Sequence, residues 1–176
     1  MALQYSVRAL YTVLYVSMTT LTDHPAVLRL PVPPEDHGRS TLARVDYADT
    51  FVVDVGDVTT RSAEDWARAV LEEAPLRRRS GLLSGWTLLG LELDLGGPGT
   101  VLGWRVRQRT PDAVLLGAAG RLGLSGELRF AREGGLLRFA TFVQLDGRAA
   151  RLAWAGTERV HDSVVRSLLA RVRATG

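Results

Sequence analysis

The sequence predicts an α+β fold in which a curved antiparallel β-sheet grips one long C-terminal α-helix, with one or two shorter helices after the first strand. Three observations support this. Short segments that alternate apolar and polar residues follow one another from about residue 101 to residue 154. The connections between them have hairpin length, whereas parallel strands would need crossovers of about a dozen residues. An amphipathic helix, predicted over about residues 158–173, then follows without a linker and must bury its apolar side.

The composition limits the function classes. The 176 residues, 46% of them apolar, are enough for one domain with a substantial core. Cys, Lys, Asn and Ile are absent, so all 22 basic residues are Arg, which indicates a GC-rich bacterial genome. Without Cys there is no disulfide, thiolate nucleophile or Cys-ligated metal. The net charge of only +3 argues against a nucleic-acid-binding protein.

We expect an N-terminal extension and Pro-rich tether over residues 1–45 and a folded domain over residues 46–176. Residues 1–16 are apolar but too short to span a bilayer, and no small-x-small cleavage site follows them closely. They are interpreted as an upstream extension, with Met18 the alternative start, or as a segment that docks on the domain. The three prolines and the glycine in residues 30–40 favour an extended chain. We therefore expect a cytoplasmic protein without a membrane span.

The first part of the predicted domain contains a strand and a helix. Apolar residues at every second position of 51–55 predict the strand. Ser62 and Asp65 form a capping-box pattern, and apolar residues then recur at helical spacing until Pro75. Residues 76–95 fit a short helix that passes into a strand or a loop, and their pattern leaves helix and strand open.

The remaining strands are predicted from period-two alternation. In the first of them, Leu102, Trp104, Val106 and Gln108 share the apolar face, and Arg105, Arg107 and Arg109 share a solvated face. Further strands are predicted over about 114–119, 122–130, 137–145 and 148–155, separated by turns rich in glycine and aspartate.

This order of elements resembles the START-like helix-grip proteins, the polyketide cyclase and Bet v 1-like superfamily also called SRPBCC. The chain is similar within it to a group of uncharacterised actinobacterial proteins. The segments that carry the resemblance are DYADTFVVDV at 46–55, SAEDWARAVL at 62–71, RTPD at 109–112 and RLAWAGTERVHDSVVRSLLARV at 151–172. The resemblance implies a cavity between the sheet and the long helix for an apolar or aromatic small molecule. Some such proteins catalyse cyclisation or dehydration, and many only bind.

The candidate ligand-binding residues are those expected on the inner faces of the sheet and the last helix: Trp104, Gln108, Phe139, Thr141, His161, Val164 and Leu168. Gln108 and Thr141 could orient a ligand by hydrogen bonds, or could instead meet solvent and a backbone carbonyl. His161 could act as an acid or a base, but Asp162 projects about 100° away on a helix, so the two form no dyad. We therefore assign no catalytic residue.

The function predicted from these features is binding of a hydrophobic small molecule in the cavity. The alternatives are a cyclase-like or dehydratase-like enzyme that uses His161 or Gln108, and a structural or partner-binding domain with a filled core. The sequence does not decide between them. Residues 77–79 are three arginines without interleaved aromatic residues, so no nucleic-acid partner is expected. The three histidines lack metal-ligand spacing, and we expect no metal, no cofactor, and a monomer or homodimer.

Overall fold

The computed structural model describes residues 27–56 and 61–173, so the apolar segment 1–16 lies outside the described residues. The helices and strands follow one another as β1 Leu28–Leu30, α1 Pro34–His37, β2 Tyr47–Asp54, α2 Ala63–Leu71, α3 Leu76–Leu88, β3 Thr100–Val101, β4 Trp104–Arg109, β5 Ala113–Ala119, β6 Leu124–Glu133, β7 Leu136–Leu145 and α4 Gly147–Arg173.

The strands form one curved antiparallel sheet of seven strands in the order β1-β2-β7-β6-β5-β4-β3. Strands β4 to β7 are joined by hairpins, as their short connections predicted. The helices α2 and α4 pack on the inner face of this sheet. The predicted α+β class, with an antiparallel sheet, a long C-terminal helix and short helices after the first predicted strand, is confirmed and is compatible with a helix-grip fold.

The C-terminal helix is longer than its sequence pattern predicted. Helix α4 has 27 residues and begins at Gly147, so the strand predicted over residues 148–155 is wrong. That segment consists mainly of Ala, Arg and Leu, which favour a helix, and it contains no β-branched residue. Its buried positions Ala150 and Trp154 are four residues apart and continue into the buried Val165 and Leu168. At 1.5 Å per residue the helix is about 40 Å long.

Helix α2 confirms its predicted start. The Ser62 hydroxyl accepts a hydrogen bond from the Asp65 backbone N–H, and the Asp65 carboxylate accepts one from the Ser62 N–H. Trp66 and Leu71 are fully buried in the core between this helix and the sheet. The short helix favoured for the start of residues 76–95 is confirmed as helix α3, and a single bridge between Leu91 and Gly120 follows it.

The described part of the predicted tether lies against the outer face of the sheet. Leu28 and Leu30 of β1 pack against Val52 and Leu136. Residues 31–46, called here the outer segment, continue across this face and include the helical turn α1, so the expectation of a purely extended chain is wrong. Pro34 at the first position of α1 explains this, because proline is tolerated there. The boundary at residue 46 stays a prediction.

Buried ion pairs fasten the outer segment to the sheet. The Asp36 carboxylate is fully buried and lies 2.6 Å from Nη1 of Arg129 and 3.1 Å from Nε of Arg138. The equally buried Glu127 accepts hydrogen bonds from the Ser40 hydroxyl at 2.6 Å and from Nη1 of Arg107 at 2.8 Å. Arg107 is therefore an ion-pair partner of a buried carboxylate rather than part of a freely solvated row.

Candidate functional site

An apolar cavity of about 210 Å³ lies between the inner face of the sheet, helix α3 and helix α4. Six of the candidate residues line it, namely Trp104, Phe139, Thr141, His161, Val164 and Leu168. Gly126 of β6 contributes by its lack of a side chain, because a Cβ there would come within 3.1 Å of the Trp104 ring. The indole can therefore lie directly over the strand.

Gln108 is the candidate residue that the structure does not bring to the cavity. Strand β4 has a β-bulge between Val106, which pairs with Leu116, and Gln108, which pairs with Leu115. The additional residue shifts the alternation by one position, so Gln108 turns to the face opposite the cavity and is exposed. The expectation that it shares the apolar face with Trp104 is wrong.

Helix α3 forms a wall of the cavity that the sequence analysis left unassigned. It has no fully buried residue, yet Leu82 and Trp86 face the cavity. The Trp86 ring meets the Trp104 ring edge to face, with their centroids 5.3 Å apart. Leu82 and Trp86 are four residues apart, so the short helix favoured for this segment places both on one face, but the pattern does not indicate what that face contacts.

A group of polar side chains lies at one end of the cavity, which we call the polar corner and define as Tyr47, Asp49, Thr141, Trp154 and His161. The Nε2 atom of His161 is 3.2 Å from an Asp49 carboxylate oxygen and 3.2 Å from the Thr141 hydroxyl. The Tyr47 hydroxyl donates to the same Asp49 oxygen at 2.7 Å. The Trp154 ring packs against the rings of Tyr47 and His161, with centroids 4.9 and 5.6 Å apart.

The polar corner holds an ionised carboxylate beneath an apolar cavity. Asp49 is almost completely buried, which by itself favours the neutral acid. The hydrogen bonds and charge of His161, together with the Tyr47 hydroxyl, outweigh burial and lower the pKa of Asp49 below its ordinary value. Burial and the adjacent Asp49 raise the pKa of Tyr47, so its hydroxyl stays a donor. Asp49 is therefore a buried hydrogen-bond acceptor that the Tyr47 hydroxyl and the His161 imidazole stabilise.

Asp49 and Tyr47 are the polar-corner residues whose roles the sequence analysis missed. The prediction that Asp162 forms no dyad with His161 agrees with the structure, in which Asp162 accepts from Arg166 at 2.6 Å. The carboxylate beside His161 comes instead from β2, where Asp49 pairs with Thr141 across the sheet. The signal was present: the period of two that predicted the strand at 51–55, extended toward the N-terminus, puts Asp49 and Tyr47 on its inner face.

Comparison with models of known protein families finds no match, and comparison with curated protein sequences finds none either. Within residues 27–56 and 61–173, no cluster of three or more His, Asp or Glu side chains could hold a metal ion. No helix in the described part of the chain is long and apolar enough to cross a membrane.

We expect Asp49→Asn to lower the free energy of unfolding by about 1–3 kcal/mol at neutral pH, because it weakens the hydrogen bonds of a buried group. This difference from wild type should shrink as the pH falls. An unfolded aspartate ionises near about 3.9, and the pKa of Asp49 is lower in the folded protein. Its contribution is therefore complete above about pH 4 and is lost as the pH falls through the folded value. Urea unfolding at several pH values measures this, and a difference that is constant down to strongly acidic pH would contradict it.

Proposed function

We propose that this protein binds a hydrophobic small molecule in the cavity between the sheet and helix α4. The observation that carries the proposal is the lining of the cavity, which is almost entirely aliphatic and aromatic and includes Trp86, Trp104, Phe139 and Trp154. Ligand sites in proteins are typically apolar concavities with a few convergent polar groups. The polar corner supplies such groups at one end.

The size of the cavity indicates the size of the ligand. A cavity of about 150 Å³ in an engineered core binds benzene, and drug-sized ligands occupy about 300–1,000 Å³. The present cavity, at about 210 Å³, lies between these values. The proposed ligand is therefore a compact molecule of about one or two rings, and a long acyl chain or a sterol does not fit without movement of the walls.

Membership of the START-like helix-grip superfamily, and of its actinobacterial group, is part of the same proposal. Its support is the antiparallel sheet that packs around one long C-terminal helix, together with the segments of sequence that resemble the superfamily. The proposal also includes a cytoplasmic location and a monomeric or homodimeric state.

A cyclase-like or dehydratase-like enzyme is the second candidate, and the contact between His161 and Asp49 favours it. A carboxylate beside an imidazole fixes the tautomer of the ring and stabilises its protonated form, which general acid and base catalysis uses. His161 lines the cavity, so a bound molecule would lie within its reach. The third candidate, a domain with a filled core, is disfavoured by the volume that the core leaves empty.

A matched pair of substitutions tests the proposal, with naphthalene as the probe. Val143 lines the cavity, whereas Val53, on the inner face of the adjacent β2, does not. The new ring of Val143→Phe should enter empty space and leave the melting temperature near that of wild type. Naphthalene would then compete with this ring for the same volume, and because overpacking costs about 1–3 kcal/mol, its binding should weaken by about tenfold or more. Val53→Phe enters a packed site and should lower stability by about 1–3 kcal/mol.

Isothermal titration calorimetry and thermal unfolding measure the two effects. Absence of naphthalene binding to the wild-type protein would reject the proposal. Equal destabilisation by both substitutions would show that the cavity is filled in solution and would favour the third candidate. Native mass spectrometry of the purified protein gives an independent check, because a retained ligand adds its mass to the chain.

A further inference from the structure

The polar corner contains buried hydrogen-bonding atoms that the described residues do not satisfy. Trp154 lines the cavity, and its Nε1 donor is buried without a partner. The Oδ1 acceptor of Asp49 is also buried without a hydrogen bond. Buried donors and acceptors in folded proteins almost always have partners, so each such atom needs an explanation. Trp154 lines the cavity and Asp49 does not, so the Trp154 donor is the unpaired atom of the corner that belongs to the cavity lining, and a bound molecule would have to offer it an acceptor.

Some donors and acceptors of the polar corner already bond to one another, and the remaining ones are available to a ligand. The Tyr47 hydroxyl donates its hydrogen bond to Asp49. The Nε2 atom of His161 faces Asp49, and in the tautomer whose Nε2–H points to this carboxylate the other ring nitrogen is an acceptor. The Thr141 hydroxyl lies 3.2 Å from Nε2 and also hydrogen-bonds to Asp49, so its oxygen is left to accept a hydrogen bond. Thr141, His161 and Trp154 line the cavity, so a hydroxyl group bound there can donate to the Thr141 oxygen or to a ring nitrogen of His161 and can accept from Nε1 of Trp154.

We propose that the ligand carries a neutral hydroxyl group, a phenol or an alcohol on its ring system, and that Thr141 and His161 bind this hydroxyl at the polar corner. The inference rests on the proposed function, because it concerns a ligand of the same cavity. Asp49 acts as a positioning residue: it holds the imidazole ring and does not itself line the cavity. The remaining apolar walls contact the rings of the ligand.

The polar corner disfavours an anionic head group at this position. The imidazole of His161 already faces the Asp49 carboxylate, so a ligand carboxylate in contact with Thr141 would compete with Asp49 for it and would add a second negative charge in a region of low dielectric. No arginine of the described residues lines the cavity, and the arginine that contacts the polar corner, Arg29 at 3.4 Å from the Tyr47 hydroxyl, lies outside the cavity lining. A bare hydrocarbon would fit the walls but would leave the corner without a partner.

The experiment compares three ligands that share one ring system: naphthalene, 2-naphthol and 2-naphthoate. Calorimetric titration of wild-type protein should give about tenfold tighter binding of 2-naphthol than of naphthalene, the usual worth of one or two buried hydrogen bonds. The affinity for 2-naphthoate should be lower than that for naphthalene.

Two threonines provide matched variants. Thr141→Val removes the hydroxyl of the polar corner and should reduce the ratio of the affinity for 2-naphthol to the affinity for naphthalene to about one. Thr157→Val makes the same change in the same cavity, but the Thr157 hydroxyl already donates to the Ala153 carbonyl at 3.1 Å. The preference for 2-naphthol should therefore survive in Thr157→Val.

The outcomes separate this inference from the proposed function. If naphthalene and 2-naphthol bind wild type equally, or if 2-naphthoate binds tightest, the inference is wrong and the hydrophobic cavity stands. Loss of the preference in both threonine variants would also overturn it. If none of the three ligands binds, the proposed function fails as well. The ranking on wild-type protein decides the question even where a variant does not fold.

Discussion

Replacing Asp36 with Ala is expected to lower the free energy of unfolding by about 3–5 kcal/mol, the usual cost of removing one partner from a buried ion pair. The Asp36 carboxylate is completely buried, and the side chains of Arg129 and Arg138 are only 12% and 10% exposed. Without the carboxylate, two guanidinium groups stay under the outer segment with no counter-charge of equal burial. The helical turn α1 should then detach from the sheet, while the hydrogen bonds from Ser40 and Thr41 to Glu127 stay in place.

Glu35→Ala is the matched control, because it removes a carboxylate from the adjacent position of the same helical turn. Glu35 is 60% exposed and approaches Arg138 only to 3.9 Å, so its loss should change stability by less than about 1 kcal/mol. Urea unfolding of the two variants and wild type measures the difference. Equal midpoints for Asp36→Ala and Glu35→Ala would show that the outer segment is not held by these ion pairs.

This prediction depends on contacts that could not be read from the sequence. The prolines of the outer segment correctly exclude a long helix or a central strand, but they do not reveal what the segment contacts. Asp36 lies 93 residues from Arg129, and no local pattern marks a pair at that separation. The regular period of two in β6 and β7 places Arg129 and Arg138 on the outer face, where arginine ordinarily meets water. Only the covering segment makes them buried.

The sheet itself was predictable because its strands carry a clean alternation and are joined by short turns. One inserted residue was enough to defeat that alternation in β4: the bulge after Val106 leaves the composition unchanged but moves Gln108 to the other face. The candidate residues on the regular strand β7 and on helix α4, including Phe139, Thr141 and His161, do line the cavity. Strand β4 differs from β7 in its bulge. Alternation predicts which face a residue lies on only where successive residues pair with successive residues of the neighbouring strand.

The polar corner shows the opposite case, in which the pattern was sufficient but was not followed far enough. Tyr47 and Asp49 belong to the same alternating face as Phe51 and Val53 of β2. An aspartate on a buried face is uncommon and indicates a partner or a function. The identity of that partner, His161 on a helix more than a hundred residues later, needed the three-dimensional structure.

Leu169→Ala is expected to lower the free energy of unfolding by about 2–5 kcal/mol, because it empties a leucine site in a packed core. Leu169 is fully buried on helix α4 and does not line the cavity, so the change is independent of ligand binding. Leu152→Ala on the same helix is the control: Leu152 is 76% exposed, and its loss should cost less than about 0.5 kcal/mol. Both substitutions replace leucine by the best helix former, so helix propensity changes equally little. Chemical denaturation gives the two free energies.

The pair also tests where the helix begins, since Leu152 belongs to the segment that the sequence pattern predicted as a strand. A loss for Leu152→Ala as large as that for Leu169→Ala would show that residues 148–155 are buried against the sheet and would contradict the 27-residue helix.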